Sequence, residues 1–217
     1  MKNTKGCWNK MGNAFNYLDE PLKNYLERVS ARTPAPGGGS AVACVAAICS
    51  SLINMVLNYT IGKEKYAAHA AELEKIKAEN GDILQKLSAY IEEDSVVYNN
   101  IRKYSAEKNT AAAEEYMKKS VAIHLDICKI SLKIIEFVEF LAEKGNKNLI
   151  SDTGIAASLA VSSFHTAKLN VIINLKFMED GAFVRKSTDE MAAIENEIVN
   201  RGEAVYRKIL TGLEEKK

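Results

Sequence analysis

The chain is 217 residues long, with 26% charged residues, 47% hydrophobic residues and a net charge of +1. That length can bury a core without disulfides. The near-neutral charge, without Arg/Lys clusters interleaved with aromatics, speaks against a partner that is nucleic acid or an anionic membrane. Three prolines, twelve glycines and scarce β-branched alternation favour helices. The four cysteines, Cys7, Cys44, Cys49 and Cys128, show no metal spacing. With no secretory signal, they read as small hydrophobes in a reducing cytoplasm.

Residues 1–14 have no clear period and are expected to be a loose tail before one helical domain over 15–213, with 214–217 as a charged end. The first helix is predicted from Asp19 as N-cap, with Pro21 in its first turn and Leu22, Tyr25, Leu26 and Val29 inward. It must end before Pro34 and Pro36. After Gly37-Gly38-Gly39, a segment from Ser40 to Thr60 sits in a stretch with no charged residue between Thr33 and Gly62. Its length fits a membrane span, but Ser50, Ser51, Asn54 and Asn58 fit better a helix buried on all sides in a bundle.

A long helix is predicted over Glu64–Tyr104, with Gly81 as a break or kink, and another over Thr110–Glu143, closed by Gly145. Ser151 is the expected cap of a second nearly uncharged helix, Asp152 to Met178. A final helix should start at Ser187 or Thr188, where Ser187 and Glu190 have capping-box spacing. The expectation is an all-α, up-and-down bundle of six or seven helices around two buried, nearly uncharged central ones.

Three features can carry chemistry. Ser50, Asn54 and Asn58 form one polar stripe, and Ser162, Thr166, Asn170 and Asn174 form another. Each stripe lies on one helical face. They either satisfy one another across helix contacts or line a site for a heteroatom-rich ligand. Asp94 occupies an apolar slot between Ile91 and Val97, with Tyr90 and Tyr98 a turn away on either side. A desolvated carboxyl suits proton transfer, and a buried ion pair is the alternative. The loop Gly37-Gly38-Gly39-Ser40 opens a helix, so it is either an anion-binding N-terminus or a packing turn. His69, His124 and His165 form no metal or triad constellation, and His124 reads as a core histidine on an apolar face.

The residues also carry a family resemblance. Arg32-Thr33-Pro34-Ala35-Pro36-Gly37-Gly38-Gly39-Ser40, Gly62-Lys63-Glu64-Lys65-Tyr66, the run Gly145–Gly154 and Asn170–Leu175, in this order, resemble the formiminotetrahydrofolate cyclodeaminase/methenyltetrahydrofolate cyclohydrolase family, in its stand-alone bacterial form. The resemblance implies a helical homodimer, with sites near the subunit interface. It implies a folate substrate, no metal, and no cofactor beyond the tetrahydrofolate itself. It points to Asp94 and Asp152 as catalytic and to Gly37, Gly38, Gly39, Ser40, Asn148, Asn170 and Asn174 as substrate-binding. His124 stands where proline is frequent, and Ile172 where arginine is common. Two reactions follow, closing 5-formiminotetrahydrofolate to the 5,10-methenyl form with loss of ammonia, or hydrolysing the methenyl form to 10-formyltetrahydrofolate. The rival is a non-catalytic helical scaffold or partner-binding module; a bare scaffold explains neither a buried carboxylate nor two polar stripes beside a glycine loop.

Overall fold

Alternation of long helices with short connections sets the architecture. The computed structural model describes residues 16–215, and the tail expected over 1–14 lies outside them. Six α-helices follow a short 3₁₀ turn: α1 (Leu22–Ser30), α2 (Gly38–Asn58), α3 (Ala70–Ala106), α4 (Thr110–Lys144), α5 (Ile150–Leu175) and α6 (Gly181–Glu214). No strand occurs among the described residues.

Cross-helix contacts fix the up-and-down order. Ser40 reaches Ile91 and Ser50 reaches Asn80, so α2 and α3 run antiparallel. Tyr90 bonds Asp126 and Lys133 pairs with Glu79 between α3 and α4. Asn174 reaches Ser120 between α5 and α4, and Lys168 pairs with Glu195 between α5 and α6. Helices α5 and α6 approach closely at Gly202, where a Cβ would collide with Val161.

Several expected boundaries move, each for a local reason. Helix α1 starts at Leu22 behind Pro21, and Asp19 lies in the preceding turn without capping it. Only Tyr25 of its expected inner face is buried; Leu22 and Leu26 are 64% and 58% exposed. Gly81 does not interrupt α3, because Leu73, Ile76, Asn80 and Leu87 are buried on both sides of it. Packing there outweighs the cost of about 1 kcal/mol for a helical glycine. Helix α5 begins at Ile150 without a side-chain cap, and Ser151 lies inside it. Helix α6 begins at Gly181, capped by Asp180, whose carboxylate accepts the Phe183 N–H; Ser187 is buried in its interior.

The two uncharged helices are not buried all round. Both pack on α4, which carries the longest run of buried side chains, and on each other, where the Cys49 thiol reaches the Ala156 carbonyl. Yet Ile48 of α2 and Ile155 of α5 are each 51% exposed. Helix α2 is the one described helix long and apolar enough to span a membrane by composition, and 56% of that window is buried against its neighbours.

Candidate functional site

The glycine loop and the buried carboxylate belong to one feature. Helix α2 begins at Gly38 with no side-chain cap, leaving its first N–H groups for another acceptor. Asp94 supplies it from the middle of α3, accepting the Ser40 backbone N–H. A Cβ on Gly39 would fall inside that carboxylate, so only glycine lets it approach the helix N-terminus. The group that approaches this N-terminus is therefore the protein's own carboxyl.

Gly39 and Ser40, expected to bind substrate, hold the loop against α3. Ser40 is fully buried, donates its hydroxyl to the Ile91 carbonyl at 2.7 Å and accepts from the Tyr25 hydroxyl at 3.0 Å. Its one hydroxyl hydrogen is used, and the fully buried side chain does not line the cleft. Gly37 and Gly38 do face open space, with nothing within 4 Å of a built Cβ.

Above Asp94 lies a cleft of about 440 Å³, lined by Pro34, Ala35, Gly37, Gly38 and Gly39 of the loop and by Tyr98, Met117, Ser120, Asn170, Ile173, Asn174 and Phe177. Asp94 is the only acidic or basic side chain among the described residues lining it. The volume fits a small-molecule site, with apolar and aromatic walls and few polar groups. Asn174 uses its amide hydrogens on Ser120 Oγ at 3.2 Å and the Asn170 carbonyl at 2.8 Å, leaving its own carbonyl oxygen for a ligand. Asn170 donates to the Thr166 carbonyl at 3.3 Å.

Burial pushes the Asp94 carboxyl above the usual carboxylate range, against the opposing pull of the His124 imidazole and the Ser40 N–H. Asp94 is 8% exposed and His124 1%, with Asp94 Oδ1 3.7 Å from His124 Nε2. Sequence reading passed over this neighbour, because nothing in one-dimensional spacing aligns residue 124 of α4 with residue 94 of α3. Tyr90, predicted beside Asp94, donates instead to Asp126 at 2.8 Å, outside the cleft.

Asp152 and Asn148 do not join this cleft within one chain. Asp152 lies in the first turn of α5, and Asn148 is exposed in the turn before it. The 22 residues from Asp152 to Asn174 along α5 put them roughly 30 Å from the cleft. They stand by the far end of α2, where Asn146 binds the Tyr59 carbonyl, Thr60 Oγ1 and the Tyr66 hydroxyl. Two of the sequence signatures, around Gly62–Tyr66 and Gly145–Gly154, therefore meet at this pole. His165 is exposed on α5, and Lys168 is held by Glu195 rather than facing the cleft. Burial pushes the Cys49 and Cys128 thiols up to about 12, so they behave as apolar packing groups.

Comparison with known proteins identifies the family. A family model described as formiminotransferase-cyclodeaminase matches residues 21–193. A methenyltetrahydrofolate cyclohydrolase of Methylorubrum extorquens is 30% identical over 88% of this chain and 96% of its own length. The rat formimidoyltransferase-cyclodeaminase is 27% identical over 82% of this chain, which spans about a third (34%) of that longer protein. The crystal structure of a formiminotetrahydrofolate cyclodeaminase from Thermotoga maritima superposes with a TM-score of 0.84 at 30% identity, covering 89% of this chain and 97% of the other. The chain belongs to the formiminotransferase-cyclodeaminase family.

Proposed function

We propose that the chain is a one-carbon tetrahydrofolate enzyme, acting by acid/base chemistry at the cleft above Asp94. The reaction is either closure of 5-formiminotetrahydrofolate with release of ammonia, or hydrolysis of 5,10-methenyltetrahydrofolate to the 10-formyl compound. Family membership supports the substrate class. The observation that carries the site is a desolvated carboxyl with an upward-shifted pKa at the floor of a cleft with no other acidic or basic side chain among the described residues lining it.

Both reactions pass through a tetrahedral carbon between two nitrogens, and both hinge on where a proton goes. In ring closure the departing nitrogen must be protonated to leave as ammonia. In hydrolysis the attacking water must lose a proton, and the ring nitrogen that is released must gain one. A carboxyl whose pKa lies nearer neutrality serves either role better than an ordinary aspartate. The flat, nitrogen-rich pterin fits between Tyr98, Met117 and Phe177, with the Asn174 carbonyl and Asn170 as polar contacts and Gly37 and Gly38 allowing close approach.

The same proposal includes a homodimer. The outward sides of α2 and α5 leave Ile48 and Ile155 half-exposed, and Ile173, itself 50% exposed, belongs both to that side and to the cleft rim. A two-fold contact over this side hides it. With the axis perpendicular to α2, the far pole of one subunit, carrying Asn148 and Asp152, comes to the cleft of the other. Asp152 then orients substrate or water across the interface. The deciding experiment follows the near-ultraviolet absorbance of methenyltetrahydrofolate, consumed in one assay and formed from the formimino compound in a second. Silence in both, with a folded protein, would leave the scaffold reading.

A further inference from the structure

The proposed reaction leaves His124 without a role, although its ring contacts the carboxyl at the floor of the cleft. His124 Nδ1 lies 2.8 Å from the Ser120 carbonyl oxygen. A carbonyl only accepts, so Nδ1 carries the hydrogen, and in a neutral ring Nε2 is then a bare acceptor. That nitrogen is buried and has no hydrogen-bond partner. The group facing it is Asp94 Oδ1, at 3.7 Å. An ionised carboxylate opposite a bare nitrogen lone pair, away from water, is unfavourable, and a proton between them removes the conflict.

We infer that Asp94 and His124 carry one proton as a pair, Oδ1 and Nε2 closing from 3.7 Å to hydrogen-bond distance around it, and titrate as a single unit, so that His124 sets the protonation of the carboxyl facing the cleft. The use of this unit in folate chemistry rests on the proposed function; its existence does not. Burial raises the Asp94 carboxyl and lowers the His124 imidazole, each opposed by the charge of the other. Both directions favour a neutral acid against a neutral ring over an ion pair.

The surroundings leave the unit alone in this role. From α1 and the turn before it come Tyr25 and Tyr17, both phenols pushed up by burial and so uncharged. Helix α2 contributes the Cys44 thiol, also raised by burial. On α3, burial raises Glu92 while the Tyr17 N–H and Arg28 oppose it, and Tyr98 lines the cleft. On α4 itself, Asp126 is tied to Tyr90 and Lys86. Lys168 of α5 is tied to Glu195 of α6.

Acting as an acid, the unit gives up its one proton and is left as carboxylate and neutral imidazole. Acting as a base, it takes a proton on the second carboxyl oxygen while the shared proton passes from Oδ1 to Nε2. The imidazolium so formed stays held at Nδ1 by the Ser120 carbonyl. His124 is thus a positioning residue acting through Asp94.

Thermal stability against pH tests the unit without any folate. In an unfolded chain the two groups titrate near about 3.9 and about 6.5 and hold one proton between those values, as the folded unit does, so wild type has little slope there from this pair. In His124→Gln, Asp94 keeps its raised pKa alone. Its contribution is present below about pH 4 and is lost as pH rises through the folded value. In Asp94→Asn, His124 keeps its lowered pKa alone. Its contribution is present above about pH 6.5 and is lost as pH falls through the folded value. The two variants should therefore tilt the Tm curve in opposite directions from wild type. Parallel curves, or tilts of one sign, would overturn the unit.

Should a variant not fold, ¹⁵N spectra of the wild-type imidazole decide. A neutral Nδ1–H ring that does not titrate near about 6.5 is expected, and an Nε2–H tautomer or ordinary titration rejects the inference. In the methenyl assay, His124→Gln should lower kcat about tenfold and remove one limb of the pH–rate profile. A profile of unchanged shape would make His124 merely structural. Wild-type silence in both folate assays would remove the proposed function, while the Tm tilt still decides the proton unit.

Discussion

Two polar stripes with the same four-residue spacing meet opposite fates. The stripe on α2 is closed off by a residue from another helix: Asn80 of α3 donates to the Ser50 carbonyl and to Asn54 Oδ1, both at 2.8 Å, and accepts from Ser50 Oγ at 3.0 Å. Asn80 is fully buried, and Asn58 at the stripe's end is simply exposed. Among the described residues the stripe on α5 meets another helix only where Asn174 donates to Ser120 Oγ of α4, and it ends with Asn170 and Asn174 at the rim of an open cleft. Periodicity places polar groups on one face; what lies opposite decides whether they become structure or site.

The largest expected effect falls on the closed stripe. Asn80→Leu removes the donor to the Ser50 carbonyl and to the half-buried Asn54 Oδ1, leaves the Ser50 hydroxyl only the residue 80 carbonyl, and should cost about 3 kcal/mol of stability, read as a shift of the denaturation midpoint. Turnover per folded molecule should be unchanged. A loss of activity without a loss of stability would put the closed stripe in the site and end the contrast.

Asp94→Asn comes next, and it acts on the open end. The amide keeps shape and some hydrogen bonding but cannot titrate, so kcat should fall by about two orders of magnitude, roughly 2.7 kcal/mol. The fold should survive, because burial already disfavours the ionised carboxyl. Retained turnover would make the carboxyl an internal cap for α2 and nothing more.

Asn174→Leu tests the open stripe in the same terms as Asn80→Leu. It should weaken folate binding by about 1–3 kcal/mol in a ligand titration, with little change in midpoint, because Asn174 and Asn170 are only half-buried. Gly38→Val should act more weakly still, reducing affinity about tenfold by filling the open approach to the loop while leaving the fold intact.

Much of this was legible in the sequence, and the failures at the site share one cause. Helix positions and the all-α bundle followed from apolar period and the proline and glycine breaks, which are local signals. Asp94 stood out because a carboxylate interrupts an apolar face. What could not be read was pairing. That Gly39 makes room for Asp94, that Ser40 is held by Tyr25 and Ile91, and that His124 faces Asp94 all depend on register between helices distant in sequence. The polar stripes looked equivalent for the same reason, since Asn80 sits on α3 among charged neighbours and shows no periodic signal of its own.

The smallest effect concerns the pole far from the cleft. Asp152 lies in the first turn of α5, where a negative charge interacts favourably with the helix dipole by less than about 1 kcal/mol. If that were its whole role, Asp152→Ala would lower the midpoint slightly and leave folate affinity untouched. The proposed two-fold contact instead puts it at the partner's cleft, so affinity or turnover should fall, by up to about tenfold. Mixing makes the distinction sharp. In a heterodimer of Asp94→Asn and Asp152→Ala subunits, one cleft carries both substitutions and the other carries neither. Random exchange of equal amounts should thus restore about a quarter of wild-type activity. Activity equal to the average of the two parents would confine each cleft to one chain, and Asp152 would then be as structural as the stripe on α2.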